Sequence, residues 1–218
     1  MTPDNHTDAC QTLFINTDKK LIPTLPRMLF EGRIVTVCGE AEAKRAVEVL
    51  RQSPLIGIDT ETRPSFQRGQ SYKVALLQAS TEELCFLFRL NLMGLPGCLT
   101  DLLADTRLLK VGLSLGDDFR ALRRRADFNP AGYVDLQNYA AEMGVADMSL
   151  QKLYANVFGQ RISKTAQLSN WEAQQLTEAQ QRYAATDAYA CIQLYKRLKT
   201  LRESGNYTLV SQPAATAS

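Results

Sequence analysis

PLIGIDTETRPSF, residues 54–66, runs four residues suited to burial, Leu55 to Ile58, straight into two acids, Asp59 and Glu61. Pro54 ends any preceding helix, and the short apolar run behind it predicts a buried strand over residues 55–60. Side chains two apart on a strand share a face, so the two carboxylates point the same way. Like charges held together repel unless solvent or a cation relieves them. A solvated strand end meets that need, and so does a bound metal ion. The stretch alone admits both.

Around it the chain reads as an α/β domain. RIVTVCG (33–39) predicts a strand, and AEAKRAVEVLRQ (41–52) has helical spacing with Ala43, Ala46, Val47 and Leu50 on one face. KVALLQAS (73–80) and ELCFLF (83–88) are two strands separated by a short turn, hence antiparallel. Residues 99–107 read as a helix and 108–113 as a buried strand. Gly116 and Asp117 then open a helix continuing through DFRALRRR, and YVDL (133–136) is a short strand. Beyond it the pattern is helical, ending in one long helix from Leu176 to about Leu201. The expected architecture is a mixed sheet of five or six strands flanked by helices. An N-terminal arm occupies 1–29, one domain 30–205, and a disordered tail 206–218.

Composition narrows the chemistry. The 218 residues suit one well-buried domain, and no run of about 18 apolar residues suggests a membrane span. The start lacks the basic and apolar regions of a secretory signal, so a cytoplasmic protein is expected. Net charge is only +2, so any nucleic-acid partner must be met by a local patch. The five cysteines are scattered without a CxxC pair, which argues against a zinc site. The one histidine, His6, lies in the polar N-terminal segment, so Ser-His-Asp and Cys-His mechanisms are disfavoured. Neither GxxxxGK[ST] nor GxGxxG occurs. Carboxylates remain.

Two further elements carry them. KVGLSLGDDFRAL (110–122) is a buried strand, a small-residue turn and a helix starting with Asp117 and Asp118. One aspartate suffices to cap a helix; the second is spare, beyond the end of a central strand where α/β sheets place their sites. In YAATDAYACIQLYKRL (183–198), Tyr183 and Asp187 are four apart and stack on one helix face. Ala184, Ala185, Ala188 and Ala190 make the neighbourhood apolar, where an aspartate is costly unless it is paired or binds a metal.

DTET (59–62), the run from Lys110 to Asp118 and YAATD (183–187) together resemble the DEDD 3′-5′ exonuclease superfamily, in its tyrosine subclass. That subclass includes RNase D and Werner-type exonuclease domains. LSNWEAQQLTEAQQRYAATDAYA (168–190) is similar to the same pattern, and the likeness extends over roughly residues 30–203. The resemblance implies a ribonuclease H-like fold and hydrolysis of single nucleotides from the 3′ end of DNA or RNA. It implies two Mg²⁺ or Mn²⁺ ions held by Asp59, Glu61, Asp118 and Asp187, with Asp59 bridging them, and Tyr183 positioning the attacking water. Asp117 is left as the helix cap. Similar sequences often carry Arg-Pro where this chain has Gln174-Gln175.

A partner with a free 3′ end needs contacts of its own. Arg63, Arg68 and Lys73 are candidates for phosphates, and Phe66 and Tyr72 for stacking on bases. Lys164 and Gln167 lie on the approach to the third motif. Trp171 is either a stacking platform or core, and Arg123, Arg124 and Arg125 either reach substrate or form a solvated face. The alternative function is a catalytically silent nucleic-acid-binding or protein-interaction module of the same fold.

Overall fold

The computed structural model describes residues 10–67 and 69–211; His6, Arg68 and residues 212–218 lie outside them. In chain order the elements begin with β1 (Gln11–Phe14), a 3-10 turn (Ile22–Thr24), β2 (Arg33–Val37), α1 (Glu40–Leu50) and β3 (Leu55–Glu61). There follow β4 (Leu76–Ser80), β5 (Leu84–Arg89), α2 (Leu90–Met93), α3 (Gly97–Ala104), β6 (Leu109–Gly112) and α4 (Leu115–Leu122). The chain continues through β7 (Tyr133–Asp135), α5 (Leu136–Glu142), α6 (Leu150–Phe158), α7 (Glu178–Ser204) and β8 (Tyr207–Val210). Among the described residues no helix is long and apolar enough to cross a membrane.

Six strands form the central sheet in the order β2-β5-β4-β3-β6-β7. β3, β4 and β5 are antiparallel neighbours, β4 and β5 as the short turn between them leads one to expect. β6 lies parallel to β3 and β7 parallel to β6, so the polar end of β3 and the turn after β6 meet on one side of the sheet. β2 closes the opposite edge, parallel to β5.

Alternation along the strands builds two layers. Ile56, Ile58, Leu77 and Phe88 pack with Val47 and Leu50 of α1 and with Leu99 and Leu102 of α3. On the other face Leu76, Cys85 and Leu87 pack with Ala184 and Ala185 of α7. A capping box starts α7: Thr177 Oγ1 accepts from the Gln180 amide at 3.2 Å, and Gln180 Oε1 accepts from the Thr177 amide at 3.0 Å. Gly205, at φ 66°, ends it in the left-handed conformation that glycine adopts without strain.

The C-terminal end of the chain differs from expectation. Instead of being disordered from 206, the chain forms β8, which pairs parallel with β1 in a separate two-stranded ladder. Each strand is four residues long, too short for a clear periodic signal, and its pairing partner lies almost the whole chain away. The arm itself is packed down. Phe14 and Asn156 of α6 exchange hydrogen bonds of 2.8 and 2.7 Å, and Thr17 Oγ1 donates to the buried Asp147 at 2.5 Å.

Candidate active site

The site begins with a contact that only glycine permits. A Cβ on Gly57 of β3 would lie 1.9 Å from the carbonyl oxygen of Ala188 in α7. With no side chain there, α7 settles directly onto β3. Asp187, adjacent to Ala188, is thereby carried to the end of the strand that bears Asp59 and Glu61. Carboxylate oxygens of Asp59, Glu61 and Asp187 lie within 4.8 Å of one another. Glu61 and Asp187 are buried, the latter only 3% exposed, while Asp59 is half-buried.

Asp118 arrives by a different route. Ser114 precedes α4 in the left-handed conformation, φ 62°, which costs a non-glycine residue about 1 kcal/mol. Its amide donates to Asp135 Oδ1 at 3.1 Å, and this holds the turn. Because α4 starts at Leu115, Asp117 is not the cap expected of it. It is exposed, on the third helical residue, and pairs with Arg120 at 2.7 Å. Asp118 turns inward and accepts a 2.5 Å hydrogen bond from Thr60 Oγ1. It therefore lies outside the tight group of three but is tied to the strand between two of its members. Thr60 was not singled out from sequence; its place between the paired acids of DTET was the available signal.

Burial raises the pKa of all four acids, and neighbouring carboxylates raise Asp59, Glu61 and Asp118 further. For Asp59 the strongest neighbouring influence is Asp187; for Glu61 and Asp118 it is Asp59. Asp187 is also raised by burial, offset in part by the Tyr183 hydroxyl and by the ammonium of Lys164. Tyr183 is itself raised, first by burial and then by Asp187, so its phenol keeps its proton.

These residues fit divalent cations. Oδ1 of Asp187 is buried without a hydrogen-bond partner, although a buried acceptor left alone is costly. The ligand atoms on offer are all carboxylate oxygens, the donor set of hard cations such as Mg²⁺ and Mn²⁺. Gln78 faces Asp59 across the β3–β4 ladder, and both its amide atoms are likewise buried and unpartnered. Sequence reading passed over Gln78 because nothing in KVALLQAS sets it apart from a strand residue.

Asp59, Glu61, Tyr183 and Asp187 line one cleft of about 270 Å³, with Gln151 and Gln167 on its walls. The remaining candidates are divided. Trp171 is 0% exposed, its indole N–H faces the Gln167 carbonyl at 3.4 Å and its ring lies 6.0 Å from that of Tyr183. It supports Tyr183 from within the core and is no platform for a base. Arg63 pairs with Glu172 at 3.4 Å and lies over the ring of Tyr72, while Phe66 is 85% exposed and Lys73 is exposed. Arg124 and Arg125 hold the segment before β4 through Ser71, Tyr72 and Val74, and Arg123 donates to the Phe128 carbonyl. The arginine triplet is therefore committed to local structure. Gln174 and Gln175 are exposed in the turn before α7.

Comparison with known proteins agrees with this arrangement. A 3′-5′ exonuclease family model matches residues 34–202. The chain is 33% identical over 190 residues to the mouse bifunctional 3′-5′ exonuclease/ATP-dependent helicase WRN, covering 83% of this chain and 14% of that protein. It is 32% identical over 195 residues to a 3′-5′ exonuclease of Arabidopsis thaliana, covering 82% and 68%. Among solved structures, the exonuclease domain of Aedes aegypti Nibbler superposes with a TM-score of 0.73 at 18% identity, covering 81% of this chain and 94% of that one. Escherichia coli RNase D superposes with a TM-score of 0.71 at 21% identity, covering 79% and 46%. Both place the fold among ribonuclease H-like exonuclease domains. Matched over most of its length, the chain belongs to the 3′-5′ exonuclease family.

Proposed function

We propose that this protein removes nucleotides one at a time from the 3′ end of a nucleic-acid strand, with two Mg²⁺ or Mn²⁺ ions held by Asp59, Glu61, Asp118 and Asp187. The observation that carries this reading is the convergence of three carboxylates within 4.8 Å, one with an unpartnered buried oxygen, in a chain of the exonuclease family. Bound there, the cations supply Lewis acidity and charge neutralisation to phosphoryl transfer. Tyr183, held protonated by its surroundings, hydrogen-bonds and orients the attacking water, and it is too weak an acid to serve as a base. Water adds its oxygen to the terminal phosphorus and the bond from phosphorus to the 3′ oxygen of the preceding nucleotide breaks. A nucleoside 5′-monophosphate leaves, and the shortened strand keeps a 3′ hydroxyl.

Oligonucleotides labelled at the 3′ or the 5′ end, incubated with Mg²⁺ or Mn²⁺, test this directly. A 5′-labelled strand should give a ladder shortened progressively from its 3′ end. Internal cuts would point to an endonuclease, and no cleavage with either metal would point to a binding module. Matched DNA and RNA strands compared for rate identify the preferred substrate.

A further inference from the structure

A second cavity, of about 590 Å³, opens beside the carboxylate cleft and shares Ser149 and Gln151 with it. Among the described residues four cations line it, Lys19, Lys152, Arg161 and Lys164, and no acid does. Two of them are already engaged: Lys152 lies 3.4 Å from the buried Asp147, and Arg161 Nε donates to the Leu25 carbonyl at 3.0 Å. Lys19 and Lys164 are exposed, and their ammonium groups make no hydrogen bond or ion pair with any described residue. Ile22, Pro23 and Ile162 supply apolar wall, and Ser163 and Thr165 supply hydroxyls.

Part of this wall belongs to the arm. Lys19, Ile22 and Pro23 all precede residue 34, where the match to the exonuclease family begins. The arm is fixed in place there. Thr17 is hydrogen-bonded to Asp147, the Met28 amide donates to the Arg161 carbonyl at 2.9 Å, and the Arg161 amide donates to Pro26 at 2.9 Å.

We infer that this cavity is a phosphodiester-binding site, holding the backbone of the nucleic-acid strand whose 3′ end lies in the carboxylate cleft. The inference rests on the exonuclease reading and extends it to the arm. A strand entering a cleft walled by carboxylates brings its own negative phosphates toward like charge. The ammonium groups of Lys19 and Lys164 at the adjoining cavity offset that repulsion and favour approach from this side. The mixed lining suits a nucleotide, with apolar surface for sugar or base and donors for phosphate oxygens. Arg63, on the chain segment after β3, already has a carboxylate partner and competes less well for a phosphate.

Lys19 is the residue to test, because Lys164 also acts on Asp187. Fluorescence anisotropy of single-stranded DNA and RNA of about 12 nucleotides, in EDTA to prevent turnover, should be measured across a salt series for the wild type, Lys19→Glu and Lys19→Arg. Lys19→Glu should weaken binding roughly five- to tenfold and flatten the plot of log affinity against log salt by about 0.7 or more. Lys19→Arg should keep both near the wild type. In Mg²⁺ or Mn²⁺, the ratio of kcat/KM on the long strand to that on a dinucleotide should fall in Lys19→Glu. Wild-type affinity and salt slope in a folded Lys19→Glu protein would overturn the site. If the wild type shortens no strand with either metal, the exonuclease reading fails, and the anisotropy series still decides the cavity.

Discussion

Gly57 and Ala188 touch backbone to backbone: the carbonyl oxygen of Ala188 occupies the space that a Cβ on Gly57 would need, at 1.9 Å. Position 57 therefore sets the distance between β3 and α7, and with it the distance between Asp59 and Asp187. Gly57→Ala should destabilise the fold by about 3 kcal/mol, the upper range for overpacking a tight core. It should also weaken Mn²⁺ binding, because the helix must lift from the strand. Denaturant unfolding and calorimetric titration check the two effects; unchanged stability would show that the helix yields easily.

Asp187→Asn removes one of several mutually repelling buried carboxylates. The metal-free protein should gain about 1 kcal/mol, or about 3 °C in melting temperature for a chain of this size. Exonuclease activity should be lost in the same variant. A protein both less stable and inactive would mean that Asp187 is held by partners other than the neighbouring acids.

The acids also predict a pH dependence. Asp187 is raised to about 7 and Asp59 to about 8. A carboxyl with a raised folded pKa stabilises the protein fully below its unfolded value near 4, and that stability is lost as pH rises through the folded value. The metal-free protein should therefore weaken between about pH 4 and pH 8. Cations bind the deprotonated form, so the melting shift produced by Mn²⁺ over EDTA should be larger at pH 8 than at pH 6. An equal shift at both pH values would contradict the assignment of these acids as ligands.

Tyr183→Phe keeps the ring that packs against Trp171 and deletes only the hydroxyl. Activity should fall by about 10²-fold, mainly in kcat, with little change in KM or melting temperature. Single-turnover kinetics separate this from a change in binding. A variant with full kcat would remove Tyr183 from the mechanism.

Gln78→Met replaces two buried amide atoms that have no partner with a thioether of similar size. An increase in stability of about 1 kcal/mol is expected from relieving that desolvation. A decrease measured by denaturant titration would indicate that the amide is satisfied by a buried water instead.

Much of this was legible in the chain. Strands that alternate or run apolar for five to seven residues, and the long helix with Tyr183 and Asp187 on one face, announce themselves by period. The antiparallel pairing of β4 with β5 follows from the short turn between them. What escaped depends on contacts across the chain. Nothing local in RIVTV indicates that β2 runs parallel to β5 at the sheet edge, and nothing in QTLF indicates β8 as its partner. Asp117 and Asp118 were separable by family likeness, yet the reason Asp117 faces solvent is that α4 starts at Leu115. Trp171 was open between core and surface until its burial against Tyr183 decided the matter. Thr60 and Gln78 are ordinary strand residues whose interest comes entirely from standing beside Asp118 and Asp59.

The ladder between β1 and β8 has a mechanical consequence. The two strands run parallel, with Gln11 opposite Tyr207 and Phe14 opposite Val210. Tension applied through residues 10 and 211 pulls them in opposite senses along their length, loading the rungs together in shear. The ladder would act as a clasp, and α7 behind it would feel the load only after the clasp gives way. Arg197 of α7, donating to Gln11 at 2.7 Å, is the rivet that joins the clasp to the helix carrying Asp187. Pulling single molecules from these two points should give one main rupture event, at a lower force in Arg197→Ala.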